Sequence, residues 1–234
     1  YIVTRVEYNL YFFGYPINGD YMKLLFIFIL SSLILTSPVF AYEVKESTDK
    51  YTYKIDIYET PFPNVNKKIK DWLDEKLEEF KQYENYNEIK NDFYTDYELH
   101  EYNGIYYLQY FIYSYTGGVH YFLINNQFTY NKSGEILELK DFFNNDNYLE
   151  ILSKLSYEEL VKIGANEDKK WLKEGTKPML ENFSLYYFDK EGLHLTFPPY
   201  QVAPWASGPT KIVIPSSKLI NLIKPVDKSL LIHR

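Results

Sequence analysis

From Tyr51 to Tyr58 the chain reads YTYKIDIY, apolar and polar residues taking turns, and this period of two predicts a strand. Thr60-Pro61-Phe62-Pro63-Asn64 is a turn. After it Val65, Ile69, Trp72, Leu73, Leu77 and Phe80 recur at helical spacing with charged residues between them. An amphipathic helix over 65–82, laid on a sheet, follows from that spacing. Strands are predicted over Phe93–His100, Ile105–Tyr115 and Tyr121–Tyr130, with Asn103-Gly104 as the turn of the first hairpin. Ile136–Leu139 is a short strand, closed by Lys140-Asp141-Phe142-Phe143, where Asp141 suits a turn or a helix cap. Tyr148–Ile163 has helical periodicity; Ser156-Tyr157-Glu158-Glu159 is either the interior of one helix or a capping box where two helices meet. Asn166–Glu174 adds a short helix. Phe183–Phe188 and Gly192–Phe197 form a hairpin, a Pro-rich loop runs from Pro198 to Pro209, and Lys211–Ile214 and Ser216–Ile223 give a last strand and helix. Strands and helices cluster instead of alternating, which predicts an α+β fold: a mostly antiparallel sheet packed against two or three helices in a single domain over 42–224. Residues 225–234 read as a loose tail.

The segment Met22–Ala41, MKLLFIFILSSLILTSPVFA, has a different logic. Lys23 is followed by an apolar run from Leu24 to Leu35, a helix breaker at Pro38 and small residues at Val39 and Ala41. This is the pattern of a secretory signal peptide. The run is short of the roughly 20 residues that span a bilayer, so cleavage is favoured over retention as an anchor, leaving no stable membrane span. Residues 1–21 precede the Met of that signal and read as a gene-calling artefact. The protein is therefore expected to be exported, either periplasmic or secreted.

Composition narrows the chemistry. The formal charge is −7, which argues against a nucleic-acid partner, since such partners demand a basic face. With no Cys there is no disulfide, thiol nucleophile or lipid-anchored cysteine. The four histidines are His100, His120, His194 and His233, without metal-ligand spacing. No phosphate-binding loop, dinucleotide fingerprint or nucleophile elbow occurs, and no cofactor is expected. The chain has 26 Tyr and 16 Phe, which suit half-buried strands and equally a contact surface.

Two loops stand out. In Tyr115-Thr116-Gly117-Gly118-Val119-His120, paired glycines between strong strands suggest a bulge or a close backbone approach. His120 there either buttresses the turn or belongs to a recognition edge. In Pro198-Pro199-Tyr200-Gln201-Val202-Ala203-Pro204-Trp205-Ala206-Ser207-Gly208, prolines stiffen the chain and lower the entropy lost on binding. Tyr200 and Trp205 are residue types that dominate binding hot spots, although a rigid cover with Trp205 buried fits the same residues. The candidate binding set is Tyr115, Gly117, Gly118, His120, Pro199, Tyr200, Pro204 and Trp205; no catalytic or metal-binding residue is assigned.

The same segments resemble a bacterial extracellular domain family shared by the anti-sigma factor RsiV and the N-terminal part of the peptidoglycan deacetylase PdaC. Tyr115–His120 is similar to its Y-x-G-G-A-H signature, with Val119 in place of Ala. Gly134–Phe142 (GEILELKDF) and Gly192–Gly208 match its later motifs, with Trp205 in place of Tyr, and Asn66 sits on the corresponding first helix. The resemblance spans nearly all of 45–223. With no deacetylase domain read after these motifs and no sigma-binding segment read before the signal, the resemblance is expected to imply the fold and a recognition role, not an enzymatic or signalling output. It implies as partner a basic wall-degrading enzyme such as lysozyme, or peptidoglycan itself; the acidic balance is compatible with a basic protein. Two other readings stand beside this binding module. One is a wall-active hydrolase using carboxylates and His120, which needs two carboxylates about 5–10 Å apart in a cleft. The other is a structural envelope protein without a ligand.

Overall fold

The computed structural model describes residues 40–85 and 89–224. The expectations for residues 1–21, for the signal segment up to Val39 and for the tail 225–234 lie outside the described residues. The fold is α+β, as the clustering of elements predicts. Its main layer is a six-stranded sheet in the order β1 to β6: β1 (Phe40–Ser47), β2 (Tyr51–Glu59), β3 (Asn91–Tyr102), β4 (Ile105–Tyr115), β5 (Phe122–Asn131) and β6 (Ile136–Leu137). Strand β1 has no counterpart among the predicted strands, because its first two residues also close the signal-like segment Met22–Ala41. It pairs antiparallel with β2 from Phe40↔Glu59 to Ser47↔Thr52.

One pair is parallel. Helix α1 (Pro63–Lys81) lies between β2 and β3 in the chain and makes the crossover that lets them run the same way. It buries Val65, Ile69, Leu73, Leu77 and Phe80, the periodic positions of the sequence, against Tyr53, Ile55, Phe93, Tyr110 and Ile112 of the sheet. Its start has no side-chain cap, but Pro63 occupies the first turn, where a missing N–H costs nothing. Asn66 fastens the approach instead: its Oδ1 accepts from Thr60 N at 2.8 Å and its Nδ2 donates to Thr60 O at 2.8 Å.

The parallel pairing runs only from Tyr51↔Asn91 to Lys54↔Tyr94. Past Lys54 the backbone of β2 needs other partners, because a buried N–H without one is costly. Asp56 N donates to Thr95 Oγ1 at 2.8 Å, and Tyr58 N donates to the Tyr110 hydroxyl at 2.7 Å. Side-chain oxygens thus continue a ladder that the strands abandon. Between β3 and β4, Asn103 and Gly104 have φ of 51° and 82°, the left-handed pair that a two-residue hairpin requires. The β4–β5 ladder stays in step from Ile105↔Asn131 to Ser114↔Phe122, so the glycine pair makes a hairpin loop and not a bulge.

A second, three-stranded antiparallel sheet was not separable in the sequence: β7 (Tyr186–Phe188), β8 (Gly192–Phe197) and β9 (Thr210–Pro215). It shares a core with α2 (Tyr148–Lys162), α3 (Lys169–Gly175) and α4 (Ser216–Leu219), built on Leu152, Leu160, Leu172, Phe188, Leu195, Ile214 and Leu219. Helix α2 is continuous, and Ser156 is fully buried within it, which rules out the capping-box alternative. Gly192 at the β7–β8 turn has φ of 150°, and a Cβ there would stand 2.0 Å from Ile214 O; no other residue fits.

The two sheets meet through two amides, Gln109 buried and Gln127 half-buried. Gln109 and Gln127 are cross-strand partners on β4 and β5. Gln109 Nε2 donates to Gln127 Oε1 at 3.0 Å and to Tyr186 O at 3.3 Å, while Tyr186 N donates to Gln127 Oε1 at 2.8 Å. The free edge of β7 is therefore clasped by two side chains of the large sheet.

Tyr110→Phe leaves the buried Tyr58 N–H without an acceptor and should destabilise the protein by about 1–3 kcal/mol. Lys70→Ala, which removes only an exposed ion pair with Asp74, should change stability by less than about 1 kcal/mol. Urea denaturation of the two variants measures both.

Candidate functional site

The connection between β8 and β9 is the proline-rich loop. Its conformation sorts its residues into two sides. Val202 and Ala203 are buried. Gln201 Nε2 donates to Gly175 O at 2.8 Å and Asn182 O at 2.9 Å, and Asn166 Nδ2 donates to Val202 O at 3.0 Å. These bonds tie the loop to the region of α3 and the turn after it. On the other side Pro204 is exposed, Pro199 and Trp205 are half-buried, and Tyr200 is 54% exposed.

Tyr200 also carries a backbone φ of 71°. For a residue with a bulky side chain this is strained, and such strain persists only where the surroundings impose it. Here they do. Tyr200 N donates to Ala203 O at 2.9 Å, and the Trp171 indole Nε1 donates to Tyr200 O at 3.0 Å. The hydroxyl is held as well, by His120 from the other loop.

That other loop, 116–121, joins β4 to β5 at the same end. Gly117 has φ of 94°, which explains one glycine of the pair. A Cβ on Gly118 would make only an ordinary contact, 3.6 Å from His120 O, so its backbone does not demand glycine. His120 Nδ1 lies 2.9 Å from Tyr121 O. A carbonyl can only accept, so Nδ1 carries a proton, and in the neutral ring Nε2 accepts from the Tyr200 hydroxyl at 3.1 Å. The His120 ring stacks on the Trp205 indole at 4.1 Å and 7°, and Tyr200 completes the group with its centroid 5.9 Å from both rings.

The structure thus brings His120, Tyr200 and Trp205 into one ring cluster, although 80 positions separate His120 from Tyr200. Trp205 is neither fully buried nor free. Tyr115 stands outside the cluster; it packs against Tyr121, whose hydroxyl donates to Asp92 Oδ2 at 2.7 Å. That bond to a carboxylate, with burial, pushes the Tyr121 phenol up to about 12. Around the cluster lie residues that the sequence reading missed. Val119 and Phe122, on either side of His120, are exposed, Val119 completely and Phe122 at 72%. Trp171 acts only through the backbone of Tyr200, and no local pattern marks it.

This assembly has no carboxylate orienting its histidine, since Nδ1 is engaged by a carbonyl. Carboxylates gather elsewhere, in an open groove of about 460 Å³ lined by Ala41, Tyr42, Glu43, Asp56, Asp96 and Tyr97. There Lys54 bridges Glu43 at 3.1 Å and Asp56 at 3.5 Å. Lys45 and Lys54 hold the Glu43 carboxyl below its usual range, opposite to what a general acid of glycoside hydrolysis needs. Among the described residues no three His, Asp or Glu side chains converge as metal ligands do, and no helix is long and apolar enough to cross a membrane.

The left-handed Tyr200 backbone has a measurable signature. Both Tyr200→Gly and Tyr200→Ala lose the His120 bond, but only Ala keeps the steric penalty of positive φ. The Gly variant should be more stable than the Ala variant by roughly 1 kcal/mol, as read by thermal unfolding.

Comparison with known proteins finds a family model, a curated protein and solved structures to which the chain is similar. Residues 140–217 match the model of DUF3298, a protein family of unknown function. Over 124 residues, 50% of this chain, the sequence is 38% identical to the peptidoglycan-N-acetylmuramic acid deacetylase PdaC of Bacillus subtilis (strain 168), and the match spans about a quarter of that protein (26%). The crystal structure of a DUF3298 family protein from Pseudomonas aeruginosa PAO1 superposes with a TM-score of 0.64 at 16% identity, covering 85% of this chain and 99% of the other. A DUF3298 family member from Bacteroides fragilis NCTC 9343 superposes with a TM-score of 0.62 at 15% identity, over 82% and 96%. Residues 140–217 therefore resemble DUF3298, half of the chain is similar to part of PdaC, and the chain has the fold of the solved DUF3298 proteins.

Proposed function

We propose that the chain is an exported, non-catalytic recognition module of the cell envelope, and that it binds a protein partner through the end of the molecule where the two loops meet. One observation carries this reading: Tyr200, on a strained backbone, is held facing outward by bonds to its N–H, its carbonyl and its hydroxyl, beside His120 and Trp205. Aromatic groups fixed in advance lose little entropy on association, and Tyr and Trp are the side chains around which interface energy concentrates.

Val119 and Phe122 favour a protein over a glycan. They are apolar, fully or largely exposed and next to the cluster. Such residues gain from burial against another protein surface and offer nothing to sugar hydroxyls. A basic wall-degrading enzyme of the lysozyme kind is the partner proposed. The chain's charge of −7 would speed encounter with such an enzyme. The setting is supported by the signal-like segment Met22–Ala41 and by homology to a protein named for its action on peptidoglycan. No cofactor enters this role.

Calorimetric titration of the purified chain with lysozyme, and separately with peptidoglycan fragments, tests the proposal. Binding to lysozyme is expected, weakening as salt rises. The double variant Tyr200→Ala/Trp205→Ala should lose at least about 2 kcal/mol of binding, roughly thirtyfold, and Phe122→Asp should weaken binding in the same direction. Heat from peptidoglycan alone would replace the protein partner with the glycan. No heat from either removes both ligands, and a double variant that binds like the parent removes the site.

A further inference from the structure

The two halves of the ring cluster hang from different sheets. His120 sits on the β4–β5 hairpin of the large sheet, whereas Tyr200 and Trp205 sit on the β8–β9 connection of the small one. Their spacing therefore depends on the joint between the sheets. Besides the Gln109–Gln127 clasp, that joint contains a stack of three rings. Tyr187 on β7 and His194 on β8 are cross-strand partners, with rings 4.3 Å apart and 9° from parallel. His100 on β3 stacks on Tyr187 at 3.8 Å and 9°. Two rings so close and so nearly parallel to a third must occupy its opposite faces, so Tyr187 is sandwiched between two histidines across the sheet-to-sheet joint.

We infer that His100, in the His100–Tyr187–His194 stack, is an acid-sensitive latch: its neutral ring closes the joint between the sheets, and its protonation loosens it. The charged groups around it are few. His100 Nε2 is 3.5 Å from Glu98 Oε2, and the same oxygen is 3.7 Å from Lys211 Nζ on β9. His194 Nε2 is 2.8 Å from Asp189 Oδ1. That carboxylate already accepts from Glu191 N at 2.7 Å and Gly192 N at 3.3 Å. The side chain of Glu191 adds a negative charge near Tyr187. The nearest compensating carboxylates are thus both shared.

Burial favours the uncharged form of His100, and Lys211 and His194 act in the same direction; together they outweigh the attraction of Glu98 and hold this imidazole below its ordinary range. The sign follows from linkage. A histidine that the fold keeps neutral takes up its proton more readily in the unfolded chain. Its contribution to stability is whole above the unfolded value, near 6.5, and declines as pH falls from there toward the lower folded value. The bearing of the latch on recognition rests on the role proposed above; the latch itself needs no ligand to be tested.

Thermal unfolding of the purified chain and of His100→Phe between pH 7.5 and 5.0, alongside an NMR titration of the histidine rings in the parent, tests it. His100→Phe keeps an aromatic ring in the stack without a titrating group. The parent should lose on the order of 2–4 °C more in Tm than the variant over this range, and His100 should protonate at lower pH than a histidine in an unfolded peptide. Equal pH dependence in the two proteins, or protonation of His100 at or above the peptide value, overturns the inference. If the variant does not fold, the NMR titration of the parent decides. A positive result together with no binding to lysozyme or peptidoglycan would leave the latch standing and the recognition role without support.

Discussion

Everything distinctive about this molecule depends on docking a small sheet onto the face of a large one without stranding polar backbone between them. The edge strand β7 brings a backbone N–H and a carbonyl into a buried joint, and each must find a partner there. Gln109 and Gln127 supply both, and because they are paired across adjacent strands they can do so only in one register. A shift by one residue would turn both amides to the opposite face. The clasp thus acts as a register key as well as an attachment. Loop 198–209, carried by the small sheet, reaches loop 116–121 of the large sheet because this key sets the distance.

The abundance of tyrosine has a physical explanation in the fold. Several tyrosines use the hydroxyl as structure. Tyr110 takes the N–H that β2 no longer shares with β3, Tyr121 binds Asp92 at the base of the hairpin, and Tyr200 reaches His120. Each joins an apolar ring to a hydroxyl that makes a specific hydrogen bond, which phenylalanine cannot do. Tyrosine content is therefore weak as a sign of a contact surface. The informative feature is where a tyrosine stands against backbone preference, as Tyr200 does.

The likeness to the solved DUF3298 proteins persists at 15–16% identity. Shared architecture at that distance concerns how the layers pack, and function resides in particular sites built on them. Among the described residues, aromatic groups, histidine and strained or shared polar contacts coincide in the loops at one end and in the ring stack of the joint. Both lie at or beside the meeting of the sheets, so the packing that builds the core also positions the groups that distinguish this surface.

Elements governed by local patterns were legible without coordinates. Helix α1 follows from its apolar spacing, the β3–β4 hairpin from Asn103-Gly104, and β4 from an unbroken run of strand-forming residues, because each pattern is satisfied by neighbours in the chain. The proline-stiffened loop and the glycine hairpin could be marked as unusual for the same reason. What required the tertiary structure was every relation across distance: the division into two sheets, the parallel β2–β3 pair, the half-buried state of Trp205, and the grip of Trp171 on Tyr200. Ser156 shows the limit plainly, since the same four residues write a capping box or a buried helix interior, and only the core that closes over them selects one. Hydrogen bonds and ring contacts between residues far apart in the chain leave no periodicity to read, because the partner of each group is chosen by the packing of layers that local sequence does not encode.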